Sequence, residues 1–137
     1  MWVFSKTGFV SIVAHRDDPD ALMVRGRTRE DVENFVDATG PPRFHGPASV
    51  GEVYETPDGD YRWRVVMSRG AATAGVAGLC MAIDYDNFKD ACHELNEPDR
   101  DMALMRVWSA MNNLQRNRHP LPGEGRTQAT LFPWDEQ

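Results

Sequence analysis

The first third of the chain carries short runs of β-branched and aromatic residues separated by turn formers, which is the pattern of β-strands. Trp2-Val3-Phe4 and residues 9–13 predict one or two strands. Residues 15–20 are rich in aspartate, and residues 22–27 then predict another strand. We therefore expect a β-hairpin in this region.

A second hairpin is predicted around residues 57–60, whose Asp58-Gly59 step is a strong turn signal. Its strands are expected at residues 49–56 and 61–68. Alternate residues of a strand share one face. The second strand is therefore expected to turn its apolar positions toward helices: Tyr61, Trp63, Val65 and Met67.

Helical spacing of apolar residues begins after Thr28, whose hydroxyl can act as the N-cap. Glu30 and Asp31 would lie at the positive end of the helix dipole, and Gly40 would end the helix. Further helices are predicted over 71–82, from Asp84 or Asp86 to Leu95, and over 101–115. The last of these has one largely apolar face, formed by Leu104, Trp108, Met111 and Gln115, with Val107 and Leu114 beside it.

The order of these elements is ββαββ followed by two or three helices. It predicts an α+β fold in which two β-hairpins form an antiparallel sheet covered on one face by helices. Residues 1–116 are expected to form the domain. From Arg116 onward helix breakers are abundant and apolar periodicity stops, so residues 117–137 are predicted to be a flexible C-terminal tail with a short apolar motif.

Composition narrows the classes of function. The 137 residues carry a formal net charge of -6 and a pI near 5.1, which argues against a general electrostatic grip on DNA or on an anionic membrane. The sequence has no apolar run of membrane-spanning length and no signal-peptide pattern, so a cytoplasmic protein is expected. Cys80 and Cys92 are interpreted as buried, reduced side chains.

Four short motifs stand out along the chain: Met1-Trp2-Val3-Phe4, Gly8-Phe9-Val10-Ser11, Ile83-Asp84-Tyr85-Asp86-Asn87-Phe88-Lys89 and Val107-Trp108. Together they resemble a family of small uncharacterised proteins from actinobacteria and their phages. The resemblance covers roughly residues 1–115, and it implies a compact cytoplasmic domain of bacterial or phage origin without catalytic residues to transfer.

The predicted tail contains Gln128-Ala129-Thr130-Leu131-Phe132. This resembles the Gln-x-x-Leu-Phe peptide by which bacterial replication and repair proteins bind the DNA polymerase sliding clamp. Gln128, Leu131 and Phe132 would then be the anchors, and Trp134 would add contact area. The alternative is that Leu131, Phe132 and Trp134 cover an apolar patch of the domain or form a dimer contact.

Four arginines form a second candidate site. Arg25 and Arg27 share one side of their strand, and Arg62 and Arg64 share one side of theirs. If the strands are neighbours, the four guanidinium groups line one sheet face that could hold a phosphate or RNA. The alternative is an ordinary solvated face whose arginines pair with Glu52 or Glu55.

Two other groups of residues contain side chains that could bind a metal or act in catalysis, but their spacing does not match a known site. His15 with Asp17, Asp18 and Asp20 lacks the spacing of a calcium loop. The segment from Asp84 to His93 is explained by helix caps and surface charge, and Cys92 and His93, adjacent on a helix, point about 100° apart. No metal, cofactor or catalytic residue is assigned.

The sequence therefore favours a non-enzymatic binding or regulatory protein, plausibly phage-encoded, that acts on a host macromolecule, with the sliding clamp as the named partner. The alternative is a nucleotide- or RNA-phosphate-binding sensor or enzyme that uses the arginines. A homodimer that pairs through a strand edge or a tryptophan-containing face is a third reading.

Overall fold

A computed structural model describes residues 1–40 and 50–119. The fold is α+β with a five-stranded antiparallel sheet, as the sequence predicts. The elements are β1 (Trp2–Ser5), β2 (Gly8–Ala14), β3 (Ala21–Gly26), α1 (Arg29–Ala38), β4 (Tyr54–Glu55), β5 (Trp63–Ser68), α2 (Arg69–Met81), α3 (Phe88–Glu94) and α4 (Pro98–Arg118).

The chain forms two compact units, Met1–Phe88 and Lys89–Gln137. The first contains the whole sheet with α1 and α2, and the second contains α4. The boundary predicted near residue 116 falls inside α4, whose helical spacing continues to Arg118. Within the described ranges, no helix is both long enough and apolar enough to cross a bilayer.

The two predicted hairpins join into one sheet because β3 pairs with both β2 and β5, giving the order β1-β2-β3-β5-β4. Val24 is opposite Ile12 on one side and Val65 on the other. This face of the sheet packs against α1 and α2. The buried core is made of Val10, Ile12, Val24, Val32, Phe35, Val65, Met67, Ala71 and Ala72.

Local hydrogen bonds fix where the two helices of the first unit begin. Thr28 caps α1 as predicted, because its side-chain oxygen accepts from the Asp31 N–H at 3.2 Å. Ser68 does the same for α2 by accepting from the Ala71 N–H at 3.2 Å. Each helix therefore begins shortly after a strand, with a side-chain cap on its first turn.

Glycine on α2 permits close packing of this helix against α1. A Cβ on Gly78 would lie 1.9 Å from the carbonyl oxygen of Ala38, and one on Gly75 would lie 2.7 Å from the Phe35 ring. The two helices touch through backbone and ring atoms at these positions. Their separation is therefore fixed by the absence of side chains on α2.

The predicted strand over 49–56 is much shorter in the structure. Val50 forms an isolated bridge to Met67, whereas Tyr54 is opposite Arg64. The edge strand thus uses one residue more than β5 over the same distance, which is the geometry of a β-bulge. Regular pairing is limited to Tyr54–Glu55 for this reason. Residues 41–49 lie outside the described chain.

Candidate functional site

The sheet face that turns away from α1 and α2 gathers aromatic and arginine side chains. Alternation along each strand assigns these residues to it, because their immediate neighbours form the helix-packed core. We call this surface the arginine face. It comprises Trp2, Phe4, Phe9, Ser11, Arg25 and Arg64, together with Arg27 and Tyr61 beside the strand ends.

The aromatic part of the arginine face lies on β1 and β2. Phe4 is opposite Phe9 in the register, and their rings stack with centroids 4.6 Å apart. Trp2 meets the edge of Phe9 at 5.8 Å and is 67% exposed. Phe9 is also 6.3 Å from the ring of Tyr61. The rings therefore form a continuous strip that ends in an exposed indole.

Two guanidinium groups lie over the ring of Tyr61. The guanidinium carbon of Arg25 is 4.4 Å from the ring centroid and that of Arg27 is 4.2 Å from it. Arg27 also donates a hydrogen bond to the carbonyl oxygen of Asp60. The tyrosine ring is buried as a result, and its electron-rich face holds the two cations in place.

Arg25 is held at the centre of the arginine face by a polar contact to β2. Its Nη2 donates to the hydroxyl of the buried Ser11 at 2.9 Å, and its Nε is buried with no hydrogen-bond partner in the described chain. In the register Arg25 is directly opposite Arg64. Two like charges at opposed positions cost stability, as does a buried donor without an acceptor.

Arg64 completes the cluster. Its Nε donates to the Tyr61 carbonyl at 3.3 Å, and its Nη1 contacts the Met23 sulfur at 3.7 Å. Arg25, Arg27 and Arg64 therefore converge on one tyrosine. Across residues 1–40 and 50–119, none of the three has a carboxylate within ion-pair distance.

The fourth predicted arginine behaves differently. Arg62 precedes β5, and its Nε lies 2.6 Å from the Glu55 carboxylate, so its charge is compensated. The pairing with Glu55 that the sequence offered as an alternative thus holds for Arg62 alone among the four. Arg25, Arg27 and Arg64 are therefore the residues through which this surface would attract an anion.

Tyr61 occupies the face opposite to the one that alternation predicts. Trp63, Val65 and Met67 do pack toward the helices, as expected. Tyr61 precedes the regular strand, where the chain is still leaving the turn, so the two-residue alternation does not extend to it. Trp2, Phe4 and Phe9 were not among the candidate site residues predicted from the sequence. Trp2 and Phe4 are two residues apart, which places them on the same face of β1, and Phe9 is opposite Phe4 on β2. This alternation of aromatic residues was the available signal.

The histidine–aspartate segment after β2 forms a turn. The His15 Nδ1 accepts from the Asp17 N–H at 3.3 Å, and the Asp18 carboxylate accepts from the Asp20 N–H at 2.9 Å. These side-chain atoms thus serve the local backbone. No group of three or more metal-ligating side chains is found in the described part of the chain.

Asp84 and His93 each belong to a separate ion pair. The Lys6 ammonium lies 2.5 Å from the Asp84 carboxylate and lowers the pKa of that carboxyl through a hydrogen bond and its charge. The His93 ring lies 3.0 Å from the Asp101 carboxylate, which raises the pKa of the imidazole by a hydrogen bond and by charge. Each contact is typical of a surface pair.

The two cysteines differ in exposure. Cys92 is buried as expected, and its pKa is raised by burial and by the negative charge of Asp101, so its thiol is a poor nucleophile at neutral pH. Cys80 is exposed, which corrects the expectation that both thiols are buried. It lies near the end of α2, next to the exposed Met81, where the helix has run past the core.

A groove of about 370 Å³ opens beside α2 in the first unit. Its lining is mostly apolar and has no charged side chain, which suits an apolar ligand better than a polar one. Its lining residues are Met1, Ile12, Leu22, Ala72, Thr73, Val76 and Ala77.

The predicted clamp-binding residues Gln128, Leu131, Phe132 and Trp134 lie outside the described residues. The chain matches no family model, no curated protein and no solved structure. The arginine face is thus the described surface with the most specific chemistry.

Proposed function

We propose that this protein binds single-stranded nucleic acid on the arginine face. The observation that carries the proposal is the convergence of Arg25, Arg27 and Arg64 beside a strip of aromatic rings, with no carboxylate partner for them among residues 1–40 and 50–119. Guanidinium groups recognise phosphate through charge-assisted hydrogen bonds. Aromatic rings on a sheet stack with unpaired bases, so the two kinds of group together can hold a nucleotide chain.

The exposed end of the strip is suited to the first base. The Trp2 indole is 67% exposed, and Phe9 supports it by an edge contact 5.8 Å away. A base stacked on an aromatic ring contributes about 1–3 kcal/mol. The arginines begin at Tyr61, which is one ring beyond Phe9. A strand lying along the strip would therefore bring its phosphates to Arg25 and Arg27.

The acidic net charge of -6 limits the kinds of nucleic acid that such a site can bind. The arginine face offers three guanidinium groups on an acidic protein, so it can contact few phosphates of duplex DNA, whose bases are stacked away from side chains. Binding of a single strand would involve about two or three phosphates. The logarithm of the binding constant should then fall with the logarithm of salt with a slope of about -2.

The test is a fluorescence-anisotropy titration of a labelled single-stranded RNA of mixed sequence, with the matching DNA strand, the duplex and a mononucleotide as competitors. We expect the single strands to bind and the duplex to compete poorly. Trp2→Ala should weaken binding by about 5- to 150-fold, corresponding to the loss of one stacked base. Arg25→Gln should weaken it and reduce the salt slope.

The matched control is Arg62→Gln, which removes a guanidinium already paired with Glu55 and should leave affinity nearly unchanged. Equal losses in Arg25→Gln and Arg62→Gln would contradict a specific site and indicate general electrostatics. A mononucleotide that competes as well as the single strand would restrict the ligand to a free nucleotide.

A second candidate rests on the sequence motif alone. We keep the proposal that Gln128, Leu131 and Phe132 bind the bacterial sliding clamp, since two adjacent apolar side chains and a glutamine in a short peptide fit a pocket of that kind. Purified clamp should be retained by the full chain and lost after Leu131→Ala with Phe132→Ala. Retention of clamp by the double variant would refute this. This second candidate also assumes the cytoplasmic location and the phage origin that are expected from the sequence.

The two candidates are separable because they use different residues. The double substitution in the tail should leave binding of single-stranded RNA unchanged, and Trp2→Ala should leave clamp retention unchanged.

A further inference from the structure

A single row of residues crosses the arginine face from one edge of the sheet to the other, and we call it the cross-strand row. Trp2 on β1 is opposite Ser11 on β2, which is opposite Arg25 on β3. Arg25 is opposite Arg64 on β5, and Arg64 is opposite Tyr54 on β4. Residues that are directly opposite in an antiparallel sheet share one face. The register therefore adds Tyr54, at the far edge, to the arginine face.

The two ends of the cross-strand row are exposed aromatic residues. Trp2 is 67% exposed and Tyr54 is 42% exposed. Neighbouring strands lie about 4.8 Å apart, so the steps from β1 through β2, β3 and β5 to β4 separate the backbones of these two residues by about 19 Å. Aromatic side chains on a sheet stack with unpaired bases. The two rings are too far apart to hold one nucleotide, but they can hold two different bases of one strand.

The positive charge of the cross-strand row lies between these two rings. The Arg25 side chain reaches over β2, where its Nη2 donates to the Ser11 hydroxyl at 2.9 Å. The Arg64 side chain reaches over β3, where its Nη1 contacts the Met23 sulfur at 3.7 Å. Like charges at opposed positions weaken a sheet, but the phosphates of a strand that crosses the row would compensate both guanidinium groups. The row thus offers rings for bases at its ends and cations for phosphates between them.

We infer that Tyr54 is a second base-stacking residue and that the bound single strand crosses the sheet along the cross-strand row, from one edge to the other. The inference rests on the proposed function and extends it by specifying the path of the strand. A stacked strand advances about 3.4 Å per nucleotide and a splayed strand advances more, so about six nucleotides or fewer lie across the row. A six-nucleotide RNA is therefore long enough to contact both rings.

Substitution of Tyr54 in the full chain tests the inference by fluorescence anisotropy with a labelled six-nucleotide single-stranded RNA. Tyr54→Ala should weaken binding by about 5- to 150-fold, because one stacked base is lost. Tyr54→Phe should bind like the unchanged chain, because it keeps the ring. Trp108→Ala is the matched control, since Trp108 is 50% exposed but lies on α4 and not on the sheet. We expect its affinity to be unchanged.

The outcomes separate this inference from the proposed function. Binding that is weakened by Trp2→Ala but unchanged by Tyr54→Ala would overturn the role of Tyr54 and leave the arginine face as the binding surface. Equal losses in Tyr54→Ala and Trp108→Ala would also overturn that role. Absence of RNA binding by the unchanged chain would contradict the proposed function and this inference together.

The path of the strand is tested by a nitroxide label on either end of the same RNA. A label on one end should broaden the NMR signals of Trp2 more than those of Tyr54, and a label on the other end should do the reverse. The same pattern of broadening from both labels would overturn the path across the sheet.

Discussion

Substitution of Gly78 by alanine tests how tightly α1 and α2 are held together behind the sheet. The added Cβ would be 1.9 Å from the Ala38 carbonyl oxygen, a distance that real Cβ contacts do not reach. The obstructing atom belongs to the backbone of α1, so no side-chain rotation relieves the overlap. One helix must move by roughly 1 Å, and the core under it must repack.

The magnitude follows from two opposed contributions. Alanine in place of glycine favours a helix interior by about 1 kcal/mol. Overpacking of a well-filled contact costs about 1–3 kcal/mol, and a backbone clash belongs at the upper end of that range. We expect Gly78→Ala to lower the free energy of unfolding by about 2 kcal/mol, equivalent to roughly 10 °C in Tm for a unit of this size.

Gly70→Ala supplies the control on the same helix. The nearest atom to its added Cβ is the Ser68 hydroxyl oxygen at 3.9 Å, so alanine fits without movement. We expect its stability to be unchanged or higher by up to about 1 kcal/mol. Urea unfolding followed by circular dichroism measures both variants. Gly78→Ala with a stability equal to or above that of the unchanged chain would refute the close contact of α1 with α2.

Two further predictions concern local contacts. Thr28→Ala should lower stability by about 1 kcal/mol in the same urea assay, because the Asp31 N–H loses its capping acceptor; an unchanged midpoint would argue against the cap. The pKa of His93 should lie above its ordinary value of 6.5 and fall toward it in Asp101→Asn, followed by NMR titration. Because folding raises the pKa of His93, its pair with Asp101 stabilises the folded state below pH 6.5, and this stabilisation is lost as the pH rises through the raised pKa. A His93 pKa at its ordinary value would contradict the contact.

Much of the fold follows from local signals in the sequence. The cap at Thr28, the Asp58-Gly59 turn and the period-two run before Ser68 each depend on neighbouring residues, and each is found near its predicted position. The bulge that shortens β4 was not predictable in this way. It depends on how the edge strand meets β5, which is a contact between distant residues.

The candidate site was predictable only in part. Pairing of arginines on neighbouring strands follows from alternation, and Arg25 is indeed opposite Arg64. The position of Tyr61 between two guanidinium groups depends on the path of the chain out of a turn, which alternation does not describe. Helix α4 shows the converse case. Its apolar spacing correctly predicts a helix, but spacing alone does not reveal that Trp108 is 50% exposed and Met111 59% exposed.

The most direct test of the proposed function is NMR mapping of a single-stranded RNA on the full chain. Addition of the RNA should shift the Trp2 indole and the resonances of Phe9 and Arg25. The signals of Val32 and Ala72, on the helix-packed side, should stay in place. Shifts confined to the helix-packed side or to α4, or none at saturating RNA, would contradict nucleic-acid binding on the arginine face.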